Sequence, residues 1–432
     1  MKRAALLAAL TVVAYLPSLA GPFQFDDYNV IVNYPTVHSW AALFERAGAG
    51  VRALLKASYT LNWTLSPDPL GFHLVNVALH ALNAVLLFHV GKRIRGQGTN
   101  SEAVAFVAAL LFALHPMQTE AVTYISGRSS SLMATFYLAA LLAYLAERPW
   151  PVSALLFVLA LATRETAVTL PAALLLVEIC RATPWRTVVR RQAAHWLILL
   201  AGAAVLLFNK RYFDLVAYGF GERGLLDNLL TQIGGVAYLV WHLLALHNLN
   251  IDPALPTLTD WTPALLFQLT LFITLLLIGA SNLRRRPWLA FGILWFFLQL
   301  APTNSIVPRL DVANDRQLYL AGWGLFFAVS AQLAHAGIAA RSLRAGAAVL
   351  CIAFAAASVW RQFDYLSEIA LWEAAVRSAP WNARAHNNLG YAYYESGRKR
   401  HAWREISTAL ALDPKLEKAR ANLVLLDWQM KE

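Results

Sequence analysis

The sequence consists largely of apolar runs separated by short polar stretches, and each run approaches the length of a membrane span. The first run ends at Ala20, and eleven more follow at 72–91, 101–115, 130–146, 151–163, 166–180, 194–208, 229–247, 263–280, 288–301, 318–337 and 345–360. A helix needs about 20 residues to cross the hydrocarbon core of a bilayer, so the shorter runs must extend into their polar flanks. The pattern predicts an all-α, polytopic membrane protein.

Composition excludes the soluble classes of protein. Hydrophobic residues make up 58% of the chain and charged residues 14%, whereas an ordinary globular protein carries roughly 25% charged residues. The net charge of +11 would suggest nucleic acid in a soluble protein, but here the basic residues lie between apolar runs, as they do in cytoplasmic loops. We therefore expect no nucleic-acid partner. Cys180 and Cys351 both lie within apolar runs, which argues against a disulfide or a zinc site.

The basic residues between the runs predict the topology. They cluster in five places, at residues 2–3, 92–95, 181–191, 284–286 and 341–344. The positive-inside rule places all five clusters in the cytoplasm, which requires that one run does not cross. The best candidate is run 229–247, because it carries His242, His247 and a Gly-Gly pair. About 11 transmembrane helices then remain, with the N-terminus in the cytoplasm and the C-terminus outside.

The composition changes after residue 360, where the chain becomes charged and helix-favouring. Leu389, Gly390, Tyr393, Ala402, Ile406, Ala409 and Pro414 follow the spacing of a tetratricopeptide (TPR) repeat. Ala375 and Pro380 recur 34 residues later as Ala409 and Pro414. Small residues allow paired helices to pack closely, and the prolines break the chain between repeats. We predict two domains: a transmembrane domain, 1–360, and a short α-solenoid of TPR helices, 361–432.

Two adjacent carboxylates, Asp26 and Asp27, follow the first apolar run. That run ends in Ser18-Leu19-Ala20, which a signal peptidase could cleave, but we interpret it as an uncleaved span because the loop after it looks functional. One carboxylate can act as a general base while its neighbour tunes it or holds a divalent cation. The alternative is a pair that caps a helix and faces water.

Two outward turns contain arginines that break the positive-inside rule. The turn 115–129 carries His115, Glu120 and Arg128, and the turn 163–166 carries Arg164 and Glu165. An arginine beside serines can hold a phosphate, because the guanidinium matches phosphate oxygens in a forked geometry. The alternative for each turn is a structural ion pair. Charges at a membrane face are nevertheless functional candidates by default.

The densest polar stretch of the transmembrane domain lies at 302–319. Its candidate residues are Arg309, Asp311, Asp315, Arg316 and Tyr319. Arg316 and Tyr319 are three residues apart at the start of a run, so they lie near one helical face, where a leaving phosphate could be received. The alternative is an interfacial loop with aromatic and arginine anchors.

A stripe of His73, Asn76 and His80 occupies one face of the second run. The spacing would suit a metal, but such a stripe more often forms hydrogen bonds between helices. The sequence contains no P-loop, no HExxH and no GxSxG motif, which argues against soluble nucleotide chemistry.

Together these elements resemble the transmembrane-and-TPR O-mannosyltransferases and their bacterial relatives in the GT-C superfamily of polytopic glycosyltransferases. The resemblance rests on FDD at 25–27, the stretch from Ser58 to His80, HPMQTEAVTYISGRSSSLMA at 115–134, ETAVTLP at 165–171 and PTNS with DRQLY at 302–319. It covers nearly the whole chain in the expected order. The TPR part is shorter than in many relatives, and 209–262 matches nothing that we can place.

The resemblance implies a hexosyltransferase of the bacterial inner (cytoplasmic) membrane, with its site and TPR helices outside the cytoplasm. A polyprenyl-phosphate-linked sugar, mannose or a similar hexose, is transferred with inversion to a hydroxyl acceptor on a protein or glycan. By similarity to the first-loop acidic motif of the family, Asp26 is expected to be the base, with Asp27 the near alternative. Arg316, Arg128 and Arg164 would stabilise the departing phosphate. No cofactor is required, although the Asp pair could hold a divalent cation.

Other residues and partners follow from the same resemblance. Glu120, Glu165 and Asp311 would orient sugar hydroxyls or the arginines, and the TPR helices would hold an acceptor or a protein partner without taking part in chemistry. The alternatives are a lipid-diphosphate-dependent oligosaccharide ligase, a membrane-anchored TPR scaffold without activity, and a transporter. A ligase would carry its chemistry in a large late loop, a scaffold needs no outward Asp pair, and a transporter would show internal repeats among its spans.

Overall fold

The computed structural model describes residues 1–46, 52–96, 100–208, 210–246, 248–309, 311–336 and 340–430. The described residues form helices joined by turns and short loops, and none of them lies in a β-strand. The helices before residue 363 are α1 (Lys2–Ala14), α2 (Trp40–Glu45), α3 (Ala53–Leu65), α4 (Pro69–Arg95), α5 (Ser101–Leu114), α6 (Thr119–Val122), α7 (Arg128–Leu145), α8 (Trp150–Thr163), α9 (Leu170–Cys180), α10 (Trp185–Phe208), α11 (Lys210–Glu222), α12 (Leu225–Ala245), α13 (Pro263–Ser281), α14 (Pro287–Leu300), α15 (Leu318–His335) and α16 (Ala340–Gln362). The predicted all-helical fold is therefore confirmed for this part of the chain.

Five helical stretches in the described ranges are long and apolar enough to cross a membrane. They are Pro69–Arg95, Leu225–Ala245, Pro263–Ser281, Asp315–His335 and Ala345–Tyr365. A sixth arises if Ser101–Leu114 and Pro116–Val122, which meet at a bend of 55°, form one broken span. These helices support a multi-pass membrane protein. The count of eleven crossings, and the exclusion of run 229–247, stay predictions; His247 lies outside the described residues.

One end of the helical bundle gathers three of the five basic clusters of the sequence. Arg3 and Lys92 both lie 3.7 Å from Glu102, and Arg181 donates to the backbone carbonyl of Arg93. The pairs with Glu102 are half-exposed and contribute little to stability. Together with the Arg181 contact, they show that the N-terminus, the end of α4 and the end of α9 lie close to one another. The positive-inside rule requires this of the basic clusters at 2–3, 92–95 and 181–191, because it places all of them on the cytoplasmic side.

The opposite end is held together by side chains at the end of α16. Ser358 Oγ donates to the carbonyl oxygen of Leu114 over 2.7 Å, and Gln362 Nε2 donates to that of Ala14 over 2.8 Å. The last carbonyls of a helix lack partners within their own helix. The final turn of α16 therefore satisfies the ends of α5 and α1, and it fixes three helix ends beside the first loop.

Four helices follow the bundle: α17 (Glu368–Ser378), α18 (Ala383–Glu395), α19 (Lys399–Leu412) and α20 (Glu417–Met430). Each packs against the next, with short connections between them. Gly390 allows close approach, because a Cβ there would lie 2.6 Å from Cγ1 of Ile406, and Ala402 and Ala409 are fully buried between helices. Gly390, Ala402, Ile406 and Ala409, chosen from the repeat pattern, thus lie at helix contacts, and Pro414 lies in the turn between α19 and α20. Their assignment as TPR repeats stays a prediction.

Helices α14 and α15 pack closely, and their contact depends on two glycines, Gly292 and Gly324. A Cβ at Gly292 would lie 2.2 Å from the carbonyl oxygen of Gly324 and 2.5 Å from Cβ of Ala328. Trp295 Nε1 donates to the carbonyl oxygen of Leu320 over 2.8 Å within the same contact. Within lipid, the hydrophobic effect does not drive helices together. Small residues let the helices approach closely, and van der Waals contact then stabilises the pair.

We expect Gly292→Ala to destabilise the protein, because the added methyl group must force α14 and α15 apart. Gly202→Ala in α10 is the control, since a Cβ at Gly202 meets nothing within 4 Å. Alanine favours helix over glycine by roughly 0.5–1 kcal/mol, so the control should melt at an equal or higher temperature. Thermal unfolding of the detergent-solubilised variants measures both; equal melting temperatures for Gly292→Ala and wild type would contradict the close packing.

Candidate functional site

Asp27 ties the first loop to the turn that precedes α7. Its Oδ1 accepts from Ser126 N over 2.8 Å and also from Ser126 Oγ, and its Oδ2 accepts from Gln24 N over 3.0 Å. The side chain is buried, and burial raises its pKa to about 7 although these hydrogen bonds act in the opposite direction. Two segments almost 100 residues apart in sequence are therefore joined through one carboxylate.

Asp26 is placed differently from its neighbour. Its backbone N–H donates to the Tyr124 hydroxyl over 3.0 Å, and the residue is partly exposed. Within the described residues its carboxylate makes no hydrogen bond or ion pair, and it lies within electrostatic range of Arg316. Asp26 thus keeps both oxygens free for a group that approaches from outside, whereas those of Asp27 are occupied.

Glu120 and Arg316 form a buried ion pair next to this loop. Arg316 Nε lies 2.8 Å from Glu120 Oε1, but the N–H does not point at the oxygen, and neither atom has a hydrogen-bond partner within the described structure. Arg316 also lies 5.4 Å from the ring centre of Tyr124. The two opposite charges therefore offset each other, while Arg316 Nε and Glu120 Oε1 can still form hydrogen bonds with a ligand. Tyr124 connects Arg316 to Asp26, because its ring lies near the guanidinium and its hydroxyl accepts from the Asp26 N–H.

The turn that carries these residues requires a glycine. A Cβ at Gly127 would lie 2.4 Å from the carbonyl oxygen of Glu120 and 2.9 Å from Cα of Ala121. The chain folds back on itself at this point, so that Glu120, Tyr124 and Ser126 face one region. The motif at 115–134 is thus a compact turn whose polar residues converge.

A cavity of about 30 Å³ opens beside Arg316. Its described polar lining consists of Ser130, Arg164, Thr166, Gln299, Thr303, Arg316, Gln317 and Tyr319. No carboxylate is among these residues. Two guanidinium groups with neutral hydroxyls and amides form the type of site that holds an anion, because charge-assisted hydrogen bonds to its oxygens are strong.

Arg164 lies at the end of α8 with its side chain in this cavity. Its Nη1 donates to Ser130 Oγ over 2.5 Å, and its Nε has no partner within the described structure. Burial, with a smaller effect from nearby Arg52, lowers the pKa of Arg164 to about 9. An anion in the cavity would relieve both the burial of the cation and the unmet donor.

Two more arginines extend the positive region. Arg52 binds Glu165 through two hydrogen bonds, at 3.0 and 2.5 Å. Although burial opposes it, the Arg52 guanidinium lowers the pKa of Glu165 to about 2. Burial lowers the pKa of Arg309, which also interacts electrostatically with Glu165, Arg316 and Arg52. Within the described residues the Arg309 side chain has no hydrogen bond or ion pair, so it remains available to a ligand.

Arg128 is fully buried and is bound by protein groups alone. Nε donates to Asn76 Oδ1 at 2.7 Å, Nη1 to Asn62 Oδ1 at 2.6 Å and Nη2 to the carbonyl oxygen of Phe72 at 2.9 Å. The guanidinium also lies 5.0 Å from the ring centre of Tyr59. In this structure Arg128 fixes α3 and α4 against the start of α7, and it does not line the cavity beside Arg164 and Arg316.

The side chains of His115 and Tyr319 also form hydrogen bonds with other protein groups. His115 Nδ1 accepts from Met117 N at 3.2 Å, and Nε2 contacts the carbonyl oxygen of Leu243 at 3.1 Å. The Tyr319 hydroxyl contacts His80 Nδ1 at 2.8 Å and Asn83 Nδ2 at 3.0 Å. The stripe on α4 therefore forms interhelical hydrogen bonds, and the described residues contain no group of three or more His, Cys, Asp or Glu side chains that could hold a metal.

The two remaining acidic candidates link the site to other elements. Asp315 Oδ1 lies 3.0 Å from Nδ1 of His242 on α12, and both side chains are buried. Asp311 is half-exposed and lies 2.8 Å from Nη2 of Arg384 on α18. Asp311 therefore connects the loop that carries Arg309 to the C-terminal helices.

Sequence reasoning missed three contributors to the site. Arg52 binds a partner 113 residues away, and nothing in its own sequence context indicates this. His242 was noted only as a polar residue in run 229–247, although it binds Asp315. Tyr124 lies within the motif at 115–134, so its position among the polar residues of that motif was the available signal.

We expect Arg128→Lys to destabilise the protein, because an ammonium group cannot reach Asn76, Asn62 and the Phe72 carbonyl at once. Each buried polar group left unpaired costs about 1–3 kcal/mol. Arg309→Lys is the matched control, since the described structure gives that side chain no partner. Thermal unfolding in detergent measures both variants; an Arg128→Lys protein as stable as the control would show that the buried arginine does not hold the helices.

Comparison with known proteins supports the resemblance. The chain is 24% identical to "Protein O-mannosyl-transferase F38B6.6" of Caenorhabditis elegans over 95% of its length and 63% of the relative. It is 27% identical to "Protein O-mannosyl-transferase TMTC1" of Mus musculus over 99% of its length and 60% of the relative. It is 31% identical to "Protein O-mannosyl-transferase TMTC3" of Homo sapiens over 39% of its length and 20% of the relative.

The chain therefore spans about 60% of the length of the relatives that it matches along almost all of its own length. No protein-family model matches the sequence, and no solved structure matches it. The motifs at 25–27, 115–134 and 302–319, which converge in the structure, are among those on which the resemblance rests. The chain is a relative of the transmembrane-and-TPR protein O-mannosyltransferases.

Proposed function

We propose that this protein is a membrane glycosyltransferase that moves a hexose, mannose or a similar sugar, from a polyprenyl-phosphate donor to a hydroxyl group. The observation that carries the proposal is the cavity lined by Arg164 and Arg316 without a carboxylate, next to the free carboxylate of Asp26. The names of the relatives favour a serine or threonine hydroxyl on a protein as the acceptor.

The arginines have the chemistry that the leaving group needs. As the bond between the anomeric carbon and the phosphate oxygen breaks, negative charge develops on the phosphate, and preorganised cations stabilise that charge. Arg164 and Arg316 line the cavity, and Arg309 lies within electrostatic range of Arg316. A departing monophosphate can be stabilised by arginines alone, so no cofactor is needed, and Asp26 with Asp27 is where a divalent cation would bind if one takes part.

Asp26 is the proposed base. An acceptor hydroxyl is a poor nucleophile until a base removes its proton as it attacks. Attack from the Asp26 side, with phosphate leaving toward the arginines, inverts the anomeric carbon. Glu120 has two buried oxygens without hydrogen bonds in the described structure, which suits it to sugar hydroxyls. Glu165 and Asp311, by contrast, orient Arg52 and Arg384.

An apolar groove beside the arginines supports a lipid-linked donor. The groove has a volume of about 320 Å³ and lies between α2, α3 and α8. Its wall includes Ala53, which follows Arg52, and Ala162, which lies two residues before Arg164. An isoprenoid chain in this groove would continue directly into the positive region, as a phosphate with a polyprenyl tail requires.

We propose that the protein lies in a bacterial inner membrane. The positive-inside rule favours the cytoplasm for the basic end of the bundle, so the site and the C-terminal helices would face the outside. We propose further that 1–360 is a transmembrane domain with eleven crossings. Residues 361–432 would then form the TPR helices. A protein partner would bind through the TPR helices.

We expect Asp26→Asn to abolish transfer while the protein still folds, because the amide keeps the shape but cannot accept a proton usefully. General-base assistance is typically worth 10²–10⁴-fold. Asp27→Asn should instead reduce stability, since an amide N–H₂ would face the N–H groups of Gln24 or Ser126. Transfer from a polyprenyl-phosphate hexose, donor binding and thermal unfolding are measured for both variants. If Asp27→Asn folds but is inactive while Asp26→Asn is active, Asp27 is the base and Asp26 is not.

We expect Ala57→Phe, which fills the groove, to weaken binding of a long-chain donor roughly tenfold, or about 1.4 kcal/mol. Binding of a donor analogue with two isoprene units should change little, because its shorter tail needs less of the groove. Leu65→Phe is the control: this residue is 78% exposed at the end of α3 and does not line the groove. Equal effects on long and short donors would place the lipid elsewhere.

A further inference from the structure

The first C-terminal helix reaches into the loop that carries the proposed base. Glu368 Oε1 accepts from the backbone N–H of Phe25 over 2.7 Å, and its Oε2 accepts from Trp372 Nε1 over 2.7 Å. The Trp372 ring packs edge-on against the Phe25 ring, with centres 5.0 Å apart. Tyr124 stacks on the Phe25 ring, with centres 6.5 Å apart. The residue directly before Asp26 is therefore held by α17 through its backbone and through its side chain.

Phe25 adopts a backbone conformation that needs such support. Its φ angle is +49°, in the left-handed region that large residues rarely occupy. A residue in this conformation costs of order 1–3 kcal/mol and persists only where its surroundings enforce it. The chain direction at Asp26 depends on this φ angle, because rotation about the preceding residue would turn the carboxylate away from Tyr124 and Arg316.

A second contact fixes the C-terminal helices from another side. Arg384 binds buried Asp252 through two hydrogen bonds, at 2.7 and 2.5 Å, and it also binds Asp311 at 2.8 Å. Asn250 Nδ2 donates to the carbonyl oxygen of Ala375, in the C-terminal half of α17, over 3.3 Å. The position of α17 is thus set by contacts with the bundle on both sides of the site.

On the basis of the proposed function, we propose that Glu368 is a positioning residue for Asp26, so that the C-terminal helices complete the catalytic site. Glu368 touches neither donor nor acceptor; it fixes the strained backbone at Phe25 and thereby the direction of the base. This differs from the sequence-based expectation, in which the C-terminal helices only bind an acceptor or a partner. Any molecule that shifts α17 would then alter the rate of transfer.

The kinetic test uses the full-length protein and compares Glu368→Ala with Glu373→Gln. Glu373 lies on the same helix but binds Tyr393 Oη over 2.6 Å, away from the first loop. A misplacement of about 1 Å can cost on the order of 10²-fold in rate, so Glu368→Ala should lower kcat by roughly tenfold to a hundredfold. Donor affinity should stay near the wild-type value, and the melting temperature should fall because the Phe25 N–H and Trp372 Nε1 lose their acceptor, so kcat is compared at a temperature where both variants are folded. Glu373→Gln should change neither kcat nor affinity. Glu368→Gln, which keeps an oxygen for the Phe25 N–H, should recover most of the rate.

A double variant separates positioning from a general effect on the fold. If Glu368 acts through Asp26, Glu368→Ala should cost little further activity in the Asp26→Asn background, since the group that it orients is already inactive. The proposal would be overturned if the activity losses of the two single variants multiplied in the double variant. A Glu368→Ala variant with a normal kcat would also overturn it. A parallel loss in Glu373→Gln would also overturn it, because the effect would then be one of helix stability.

A labelling experiment tests the same idea without any transfer assay. Tyr28 is 40% exposed in the first loop, and both native cysteines are buried, so Tyr28→Cys provides a single reactive thiol. Glu368→Ala should increase its rate of alkylation several-fold, and Glu373→Gln should leave it unchanged. If wild type transfers no sugar but the labelling rates differ as expected, the proposed function fails and the positioning contact stands. Unchanged labelling with active wild type overturns the positioning role alone.

Discussion

The geometry of the site depends on the hydrogen bonds that join Asp27 to Ser126. Without them the first loop and the turn before α7 would be independent segments, and Tyr124 could not meet Asp26. The carboxylate is buried and its pKa is raised to about 7, so the contact carries a desolvation cost that three hydrogen bonds offset. One residue of the acidic pair therefore builds the site, and this leaves the other free to act in it.

Arg128 provides the second constraint, because a fully buried cation must be compensated by the groups around it. Asn76 and Asn62, on two different helices, supply the oxygens, and Asn76 also donates to the carbonyl oxygen of Val122 over 3.2 Å. The same amide thus holds the end of α6 and the start of α7. This network sets where the chain emerges from the bundle, and hence where Glu120 and Tyr124 point.

The all-helical fold and the C-terminal helices could be predicted from the sequence, and the motifs that carry the polar candidates could be chosen, because apolar periodicity and rule-breaking charges are local signals. The roles within the motifs could not. Arg128 and Arg164 look equivalent in sequence, yet one is enclosed by oxygen acceptors and the other lines a cavity. Arg52 and Glu368 act through partners 113 and 343 residues away, and no local pattern records such contacts. The predicted roles of the individual site residues stay predictions.

Four arginines, Arg52, Arg164, Arg309 and Arg316, lie close together here, and two of the carboxylates near them are already paired, Glu165 with Arg52 and Glu120 with Arg316. Like charges held in a buried region repel, as the lowered pKa of Arg164 reflects, with burial the larger cause. A scaffold protein would gain nothing from such an arrangement, and neutral residues of similar size would be more stable there. The cost is understandable if an anion regularly enters the cavity and neutralises the excess charge. The apolar groove, whose lining includes Ala53 and Ala162, is where the apolar tail of the proposed donor would lie.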